Sequence, residues 1–362
     1  MVLTKGTSGK GIAWIRLYPF LLAGLGCLAY LNSLPNPFIF DDAVVTSMDP
    51  SSIRISLMSL CPRMVTTLTF MLNYMLDGKN VAGYHAVNLL IHVVAGLLLF
   101  GAVRRILELP AMARRYTARA GGLAFVCAAV WLVHPLQTES VTYVCQRHES
   151  LTGLFFLLTV YSFLRSVTSS RSRLWANISL AACAVGMGTK QVMVTVPVIV
   201  LILDAVLVAG SVREALRVRW RVHLALFLCM SLVFLFLVMQ SALFYDVVQA
   251  MDAGVEWWRY LVTQGGVILH YLRLSVLPVG LCLDYAWPPV ESLKEAIVPV
   301  SVVGVLVAAT LWGLWKRYPW AVAGAWFFGC LAPSSSFFPV TDIAFEHRMY
   351  LPLAAVCLMA SL

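Results

Sequence analysis

The chain has 362 residues, a formal net charge of +9, 60% hydrophobic residues and only 12% charged ones, with a mean hydropathy of +0.84. That balance excludes a soluble globular domain, in which about a quarter of the residues carry charge. Several apolar runs reach or approach the roughly 20 residues that cross a hydrocarbon core about 30 Å thick, and none alternates as a membrane β-barrel strand does, so a helical membrane protein is expected.

The first apolar run, residues 13–31, follows Lys5 and Lys10 as a signal peptide would. It lacks a small-residue cleavage site and is long enough to span, so it reads as a retained helix. A first external connection over residues 32–83 carries the adjacent carboxylates Asp41 and Asp42, then an amphipathic segment at 63–77. In that segment Met64, Leu68, Met71, Leu72 and Met75 share one face and Thr66, Thr69, Asn73 and Asp77 the other. The pattern predicts an interfacial helix with its polar side in water.

Further spans are predicted at residues 84–103, 119–133, 151–164, 175–187, 192–208 and 223–243. The segment 257–277 is also long enough to cross, but crossing would carry Lys316 and Arg317 to the side away from the other basic loops. Its Arg259, Thr263, Gly266, His270 and Arg273 recur at every third or fourth position on one stripe, which suits a second interfacial helix. The last spans fall at 296–315, 320–331 and 350–362. The expected fold is an all-α membrane domain over residues 1–362 with about 10 or 11 transmembrane helices and no soluble repeat domain.

Arg104, Arg105, Arg114, Arg115 and Arg119 fill one loop, Arg165, Arg171 and Arg173 a second, and Arg213, Arg217, Arg219 and Arg221 a third. By the positive-inside rule these loops and the amino terminus are cytoplasmic, which accounts for the positive charge without a nucleic-acid partner. The nine cysteines include no CxxC pair, so a zinc site is not expected; Cys61, Cys145 and Cys282 lie in connections where one disulfide could form on an oxidising side.

The remaining ionisable residues gather on the opposite, non-cytoplasmic side. Isolated acids among several cations suit transfer of a group from a phosphate-bearing lipid: cations hold the phosphate and a carboxylate takes the acceptor's proton. In that assignment Asp41 and Asp42 are catalytic, and Lys190, Arg348, Arg273, Arg259 and His270 hold the donor phosphate. Arg63, His134, Glu139, Arg147, Glu346 and His347 line or support the site. Neighbouring side chains of an extended loop point opposite ways, so one aspartate can face the acceptor while the other orients a helix end or helps to hold Mg or Mn. Plainer readings stand beside these: a polar turn for the aspartates, a satisfied interfacial ring for His134, a snorkelling Lys190, and a loop-fixing ion pair between Glu346 and Arg348.

Four ordered stretches, Arg63–Phe100, Val130–Leu158, Gly186–Asp204 and Glu346–Pro352, resemble the membrane portion of the transmembrane and tetratricopeptide-repeat O-mannosyltransferase family. That family lies in the GT-C glycosyltransferase superfamily, and the likeness runs along nearly the whole chain. It implies a polyprenyl-phosphate sugar donor, with mannose the favoured sugar, a Ser or Thr hydroxyl of an exported protein as acceptor, and an active site on the periplasmic or lumenal face. It also implies that Asp41 is the base and Asp42 its support. His134, Pro135 and Glu139 match one family motif, and Glu346, Arg348, Tyr350, Leu351 and Pro352 another.

The stretch from His134 to Leu151 is most similar to bacterial relatives, which favours a bacterial inner membrane over the endoplasmic reticulum. Two departures stand out. The family usually carries helical repeats beyond its membrane part, and Asp42 stands where cousin enzymes have Glu. Competing readings are a transporter or lipid flippase, a GT-C enzyme acting on a lipid or glycan, and a non-catalytic scaffold; the first would place ionisable residues near the bilayer midplane.

Overall fold

The computed structural model describes residues 9–46, 63–239, 256–340 and 342–362, and among these the chain is helical without strands. In chain order the helices are α1 (Gly9–Tyr30), α2 (Asp42–Thr46), α3 (Met64–Asp77), α4 (Val81–Glu108) and α5 (Pro110–Tyr116). Next come α6 (Ala120–Val133), α7 (Thr138–Thr142), α8 (Arg147–Thr168), α9 (Ser172–Gly186), α10 (Val196–Leu203) and α11 (Val212–Met239). The last are α12 (Trp257–Val276), α13 (Leu293–Trp315), α14 (Trp320–Leu331) and α15 (Pro352–Ser361).

Every predicted span coincides with a helix. Among the described residues six are long and apolar enough to cross, at Ile15–Ser33, Val81–Glu108, Pro110–Val133, Val144–Thr168, Gln191–Val208 and Leu293–Trp315, and α14 and α15 are shorter apolar helices. The chain is an all-α polytopic membrane protein.

Such helices are apolar nearly all round, so their pattern does not say which sides meet; polar groups between them do. His92 of α4 contacts the Tyr350 hydroxyl through Nδ1 at 2.9 Å and the Leu132 carbonyl through Nε2 at 2.9 Å. The Trp131 indole donates to the Tyr350 carbonyl at 2.8 Å, and the Trp326 indole to the Leu351 carbonyl at 2.9 Å. These bonds join α4, α6 and α14 to the start of α15. Gly153 of α8 lies directly against the Tyr350 ring, where a side chain would occupy the ring's own space.

At the basic-loop end, Asp204 opens a π-helical turn that continues α10 to Val208. Arg219 grips both its oxygens, at 2.6 and 2.8 Å, and His223 Nε2 lies 2.8 Å away. Arg219 itself leaves helical geometry and kinks α11.

Two expectations change. The expected faces of α3 are partly reversed: Thr66 and Asn73 are buried, whereas Leu68, Leu72 and Met75 are exposed, with Asp77 exposed and Met71 buried. Arg147 of α8 donates to the Thr69 carbonyl of this helix at 3.3 Å. The stripe on α12 is likewise covered, by the 277–292 connection. The Thr263 hydroxyl accepts from the Val290 amide at 2.9 Å, Arg259 donates to the Val290 carbonyl at 3.2 Å, and Arg273 donates to the Val279 carbonyl at 3.3 Å. The His270 ring packs edge-on against Tyr285 and Trp287, with centroids 4.9 and 5.1 Å apart.

Gly153→Val is expected to cost about 1–3 kcal/mol by overpacking against Tyr350 and to lower the thermal midpoint in detergent by several degrees. Gly122→Ala, where an added methyl group meets nothing within 4 Å, is expected to leave the midpoint unchanged.

Candidate functional site

The connections at the ends away from the basic loops converge. Phe40 adopts a left-handed backbone, φ 49°, unusual outside glycine, and this turn sets Asp41 and Asp42 at the start of α2. Asp42 is 1% exposed, and both its oxygens are occupied: Oδ2 accepts from the Ile39 amide at 3.0 Å and Oδ1 from the Cys145 amide at 2.6 Å. Burial pushes its carboxyl up, and the two amides pull the other way. Asp41 is exposed; its amide donates to the Tyr143 hydroxyl at 3.0 Å, which leaves that hydroxyl beside its carboxylate. The turn into α2 thus separates the pair into one buried pin and one open carboxylate.

Two cations lie in the same region. The Val65 amide donates to the Gly188 carbonyl at 3.0 Å, which brings the start of α3, with Arg63, to the turn that carries Lys190. Lys190 Nζ lies 2.5 Å from Glu149 Oε2, and both Lys190 and Arg63 are partly accessible. Cys145 lies within electrostatic reach of Asp42, Asp41, Arg63 and Lys190.

On a further side stands Glu139, whose Oε2 accepts from the His347 amide at 2.8 Å and whose Oε1 meets His347 Nδ1 at 2.6 Å. Burial pushes the Glu139 carboxyl up to about 7 against the pull of the His347 amide, Lys190 and Arg348. The His347 imidazole is held well below its ordinary value, first by burial and then by Lys190. Both members of this pair lie within electrostatic reach of Lys190.

Other candidates hold structure together. Arg348 is buried and donates to the carbonyls of Ser334 at 3.2 Å, Ile343 at 3.0 Å and Asp342, so it braces the 332–345 loop where a free phosphate ligand was expected. Glu346 does not pair with it: Oε1 accepts from the Cys282 amide at 2.7 Å and the Tyr285 hydroxyl at 2.5 Å, tying down the 277–292 connection. Arg259, His270 and Arg273 serve that connection too, because its carbonyls and rings already occupy their stripe.

His134 has both ring nitrogens on backbone groups, Ser275 O at 3.2 Å and the Leu136 amide at 3.2 Å. Arg147 is fully buried, and its role is anchorage. Cys145 and Cys282 are free thiols, so the proposed bridge does not join them; Cys61 lies outside the described residues. An apolar cavity of about 690 Å³ lies at the other end of the bundle, near Leu107, Arg115, Leu207 and Trp320, and contains none of these groups.

The partners missed at the sequence level are Tyr143, Cys145, Glu149 as the mate of Lys190, and Asn88 and Thr69 as mates of Arg147. For Asn88 a signal existed, since an amide inside an apolar span needs a polar neighbour. The others are backbone contacts or contacts between positions far apart in the sequence, with no sequence signature.

Over 94% of its length the chain is 24% identical to Protein O-mannosyl-transferase F38B6.6 of Caenorhabditis elegans, covering 50% of that protein. It is 25% identical over 94% of its length to Protein O-mannosyl-transferase TMTC3 of Mus musculus, covering 41% of it. It is 24% identical over 95% to Protein O-mannosyl-transferase TMTC4 of Homo sapiens, covering 47%. The chain therefore spans half or less of the length of these relatives, and the likeness to the TMTC family runs along most of it. No family model and no solved structure matches it.

Glu139 has a testable linkage. Its folded value, about 7, lies above the ordinary 4.5, so its contribution to stability is complete below pH 4.5 and is lost as the pH rises through about 7. Thermal melts in detergent are expected to fall by several degrees across that window in the wild type. In Glu139→Gln, which cannot ionise, the fall is expected to shrink, and an equal fall in both proteins would contradict the assignment.

Proposed function

We propose that this chain is the membrane catalytic portion of an inverting GT-C glycosyltransferase that moves one sugar, mannose by the likeness to the TMTC proteins, from a polyprenyl phosphate to a Ser or Thr hydroxyl of an exported protein. The observation that carries the reading is the division of the aspartate pair. Asp42 is used up in fixing the loop, while Asp41 stays exposed and shares with Arg63 and Lys190 the electrostatic neighbourhood of Cys145.

In this reading the acceptor hydroxyl gives its proton to Asp41 as its oxygen attacks the anomeric carbon from the face opposite the phosphate. The bond from carbon to phosphate oxygen breaks, and the electron pair leaves with the phosphate. Phosphate is already a good leaving group, so a second strong carboxylic acid of the kind glycosidases use is not required. Lys190 and Arg63 meet the charge that grows on the departing oxygen, where prearranged cations in a partly water-excluded site act most strongly. Lys190 is held ready by Glu149, which also keeps the resting site from carrying unmatched positive charge.

A divalent ion fits poorly on the pair as it stands. Asp42 has no free oxygen to offer, and among the described residues no group of three His, Cys, Asp or Glu side chains is arranged to hold a metal. No step is therefore routed through Mg or Mn.

The reacting groups all lie at the ends opposite the basic loops, which by the positive-inside rule is the periplasmic or lumenal face. A transporter or flippase would need ionisable groups facing a pathway. Asp204, an acid within the 192–208 span, is instead closed off by Arg219 and His223.

The test is transfer by the reconstituted chain from labelled polyprenyl-phosphate mannose to a Ser/Thr-rich secreted protein. Asp41→Asn is expected to lose about 100-fold or more in rate with unchanged thermal stability, the range of a lost general base. Asp42→Asn is expected to melt earlier. Wild-type rates in Asp41→Asn would overturn the assignment of the base, and lipid movement without transfer would favour a flippase.

A further inference from the structure

Glu139 and His347 are 208 positions apart in sequence, yet both oxygens of one carboxylate are devoted to one residue: its amide at 2.8 Å and its ring Nδ1 at 2.6 Å. Two contacts from one carboxylate to one histidine fix the ring plane as well as its position. Nδ1 is thereby occupied, and Nε2 is the ring's remaining polar atom. It has no protein partner among the described residues, and it is not sealed as Nδ1 of His85, Nδ1 of His148 and Nε2 of His270 are.

The charged groups facing His347 come from several elements: Lys190 and Arg63, which also flank Asp41, with Arg348 and Glu149. Glu139 feels Lys190, Arg348 and, through its effect on the neighbouring carboxyl, Glu346. His148 is the other imidazole within reach. Lys190 and Arg63 thus lie within electrostatic reach both of His347 and of Cys145, which Asp41 also reaches.

Resting on the reading above, we infer that Glu139 and His347 form a proton-sharing pair whose His347 Nε2 serves the leaving phosphate, opposite the side on which Asp41 serves the acceptor. In the neutral pair, Glu139 carries the proton and donates to Nδ1, and Nε2–H points outward. As the bond to the anomeric carbon breaks, Nε2 gives its proton to the departing phosphate oxygen while Nδ1 takes the proton of Glu139. The phosphate leaves as a singly charged monoester, and the pair is left with an ionised Glu139.

No charge is added to the site, because the negative charge that would have grown on the phosphate ends on Glu139. The second ionisation of a phosphate monoester falls near pH 6, close to the value to which burial raises Glu139, so the transfer is nearly balanced. Solvent returns the proton after release.

The experiment measures initial rates against pH, with reconstituted protein and labelled polyprenyl-phosphate mannose, for wild type, Glu139→Gln and His347→Phe. Wild-type kcat is expected to fall as the pH rises above about 7, when the pair loses its shared proton. Glu139→Gln keeps Nε2–H outward but cannot supply a second proton: kcat is expected to drop about 10-fold and the alkaline fall to vanish, with donor KM unchanged. His347→Phe is expected to lose about 100-fold in kcat at every pH.

An alkaline limb that persists in Glu139→Gln, or wild-type transfer by His347→Phe, overturns the pair while leaving the glycosyltransferase reading intact. No transfer by the wild type itself overturns both. Independently of activity and of how His347→Phe folds, difference infrared spectra should show a protonated-carboxyl band titrating near pH 7 that disappears in Glu139→Gln; its absence in the wild type also overturns the pair.

Discussion

The guanidinium of Arg147 is buried at the mouth of α8 with no ion-pair partner among the described residues, a situation tolerated only when hydrogen bonds replace the lost water. It donates to the Asn88 side chain at 2.6 Å, the Tyr84 carbonyl at 3.0 Å and the Thr69 carbonyl at 3.3 Å, and lies 4.4 Å over the Phe70 ring. One side chain therefore fastens α3 and α4 to α8. Two residues before it, the Cys145 amide holds Asp42; two residues after it, Glu149 holds Lys190. The height at which Arg147 seats α8 thus sets the spacing between the aspartate loop and the lysine turn.

The same logic sorts the rest of the charges at this end of the bundle. Asp42, Glu346, Arg348 and Arg259 reach backbone groups of distant segments and act as pins, each trading exposure for the ordering of a loop. Asp41, Arg63, Lys190 and the Glu139–His347 pair are the groups left over once the pins are counted. A site made this way is prearranged, because the residues that hold it are different from those that face the reactants. The cost is that most of the polar motif residues are structural, so a motif match by itself does not tell a ligand from a brace.

Much of the fold was legible. Spans from 13–31 to 350–362 each became helices because apolar length alone decides what lipid accepts, and the basic loops kept to one end. Asp41, Lys190 and Glu139 were legible as candidates because charge on the less basic side of a greasy chain is rare. The polar face of α3 was misassigned because amphipathicity reports that two environments exist and not which is which. Arg147, beyond the reach of any periodicity in α3, meets that helix at Thr69 and Phe70. The α12 stripe was likewise real, but its partner was the 277–292 connection.

The sequence by itself determined that this is a helical membrane protein with acids and bases gathered at one end, since hydropathy and loop charge are local properties summed along the chain. Only the tertiary structure decided which acids remain open. Asp41 and Asp42 are neighbours of the same chemical type, and no local property separates them; the Cys145 amide, 103 positions away, does. The same holds for Glu139, whose value depends on how deeply the fold buries it and on which residue of a distant turn meets its oxygens.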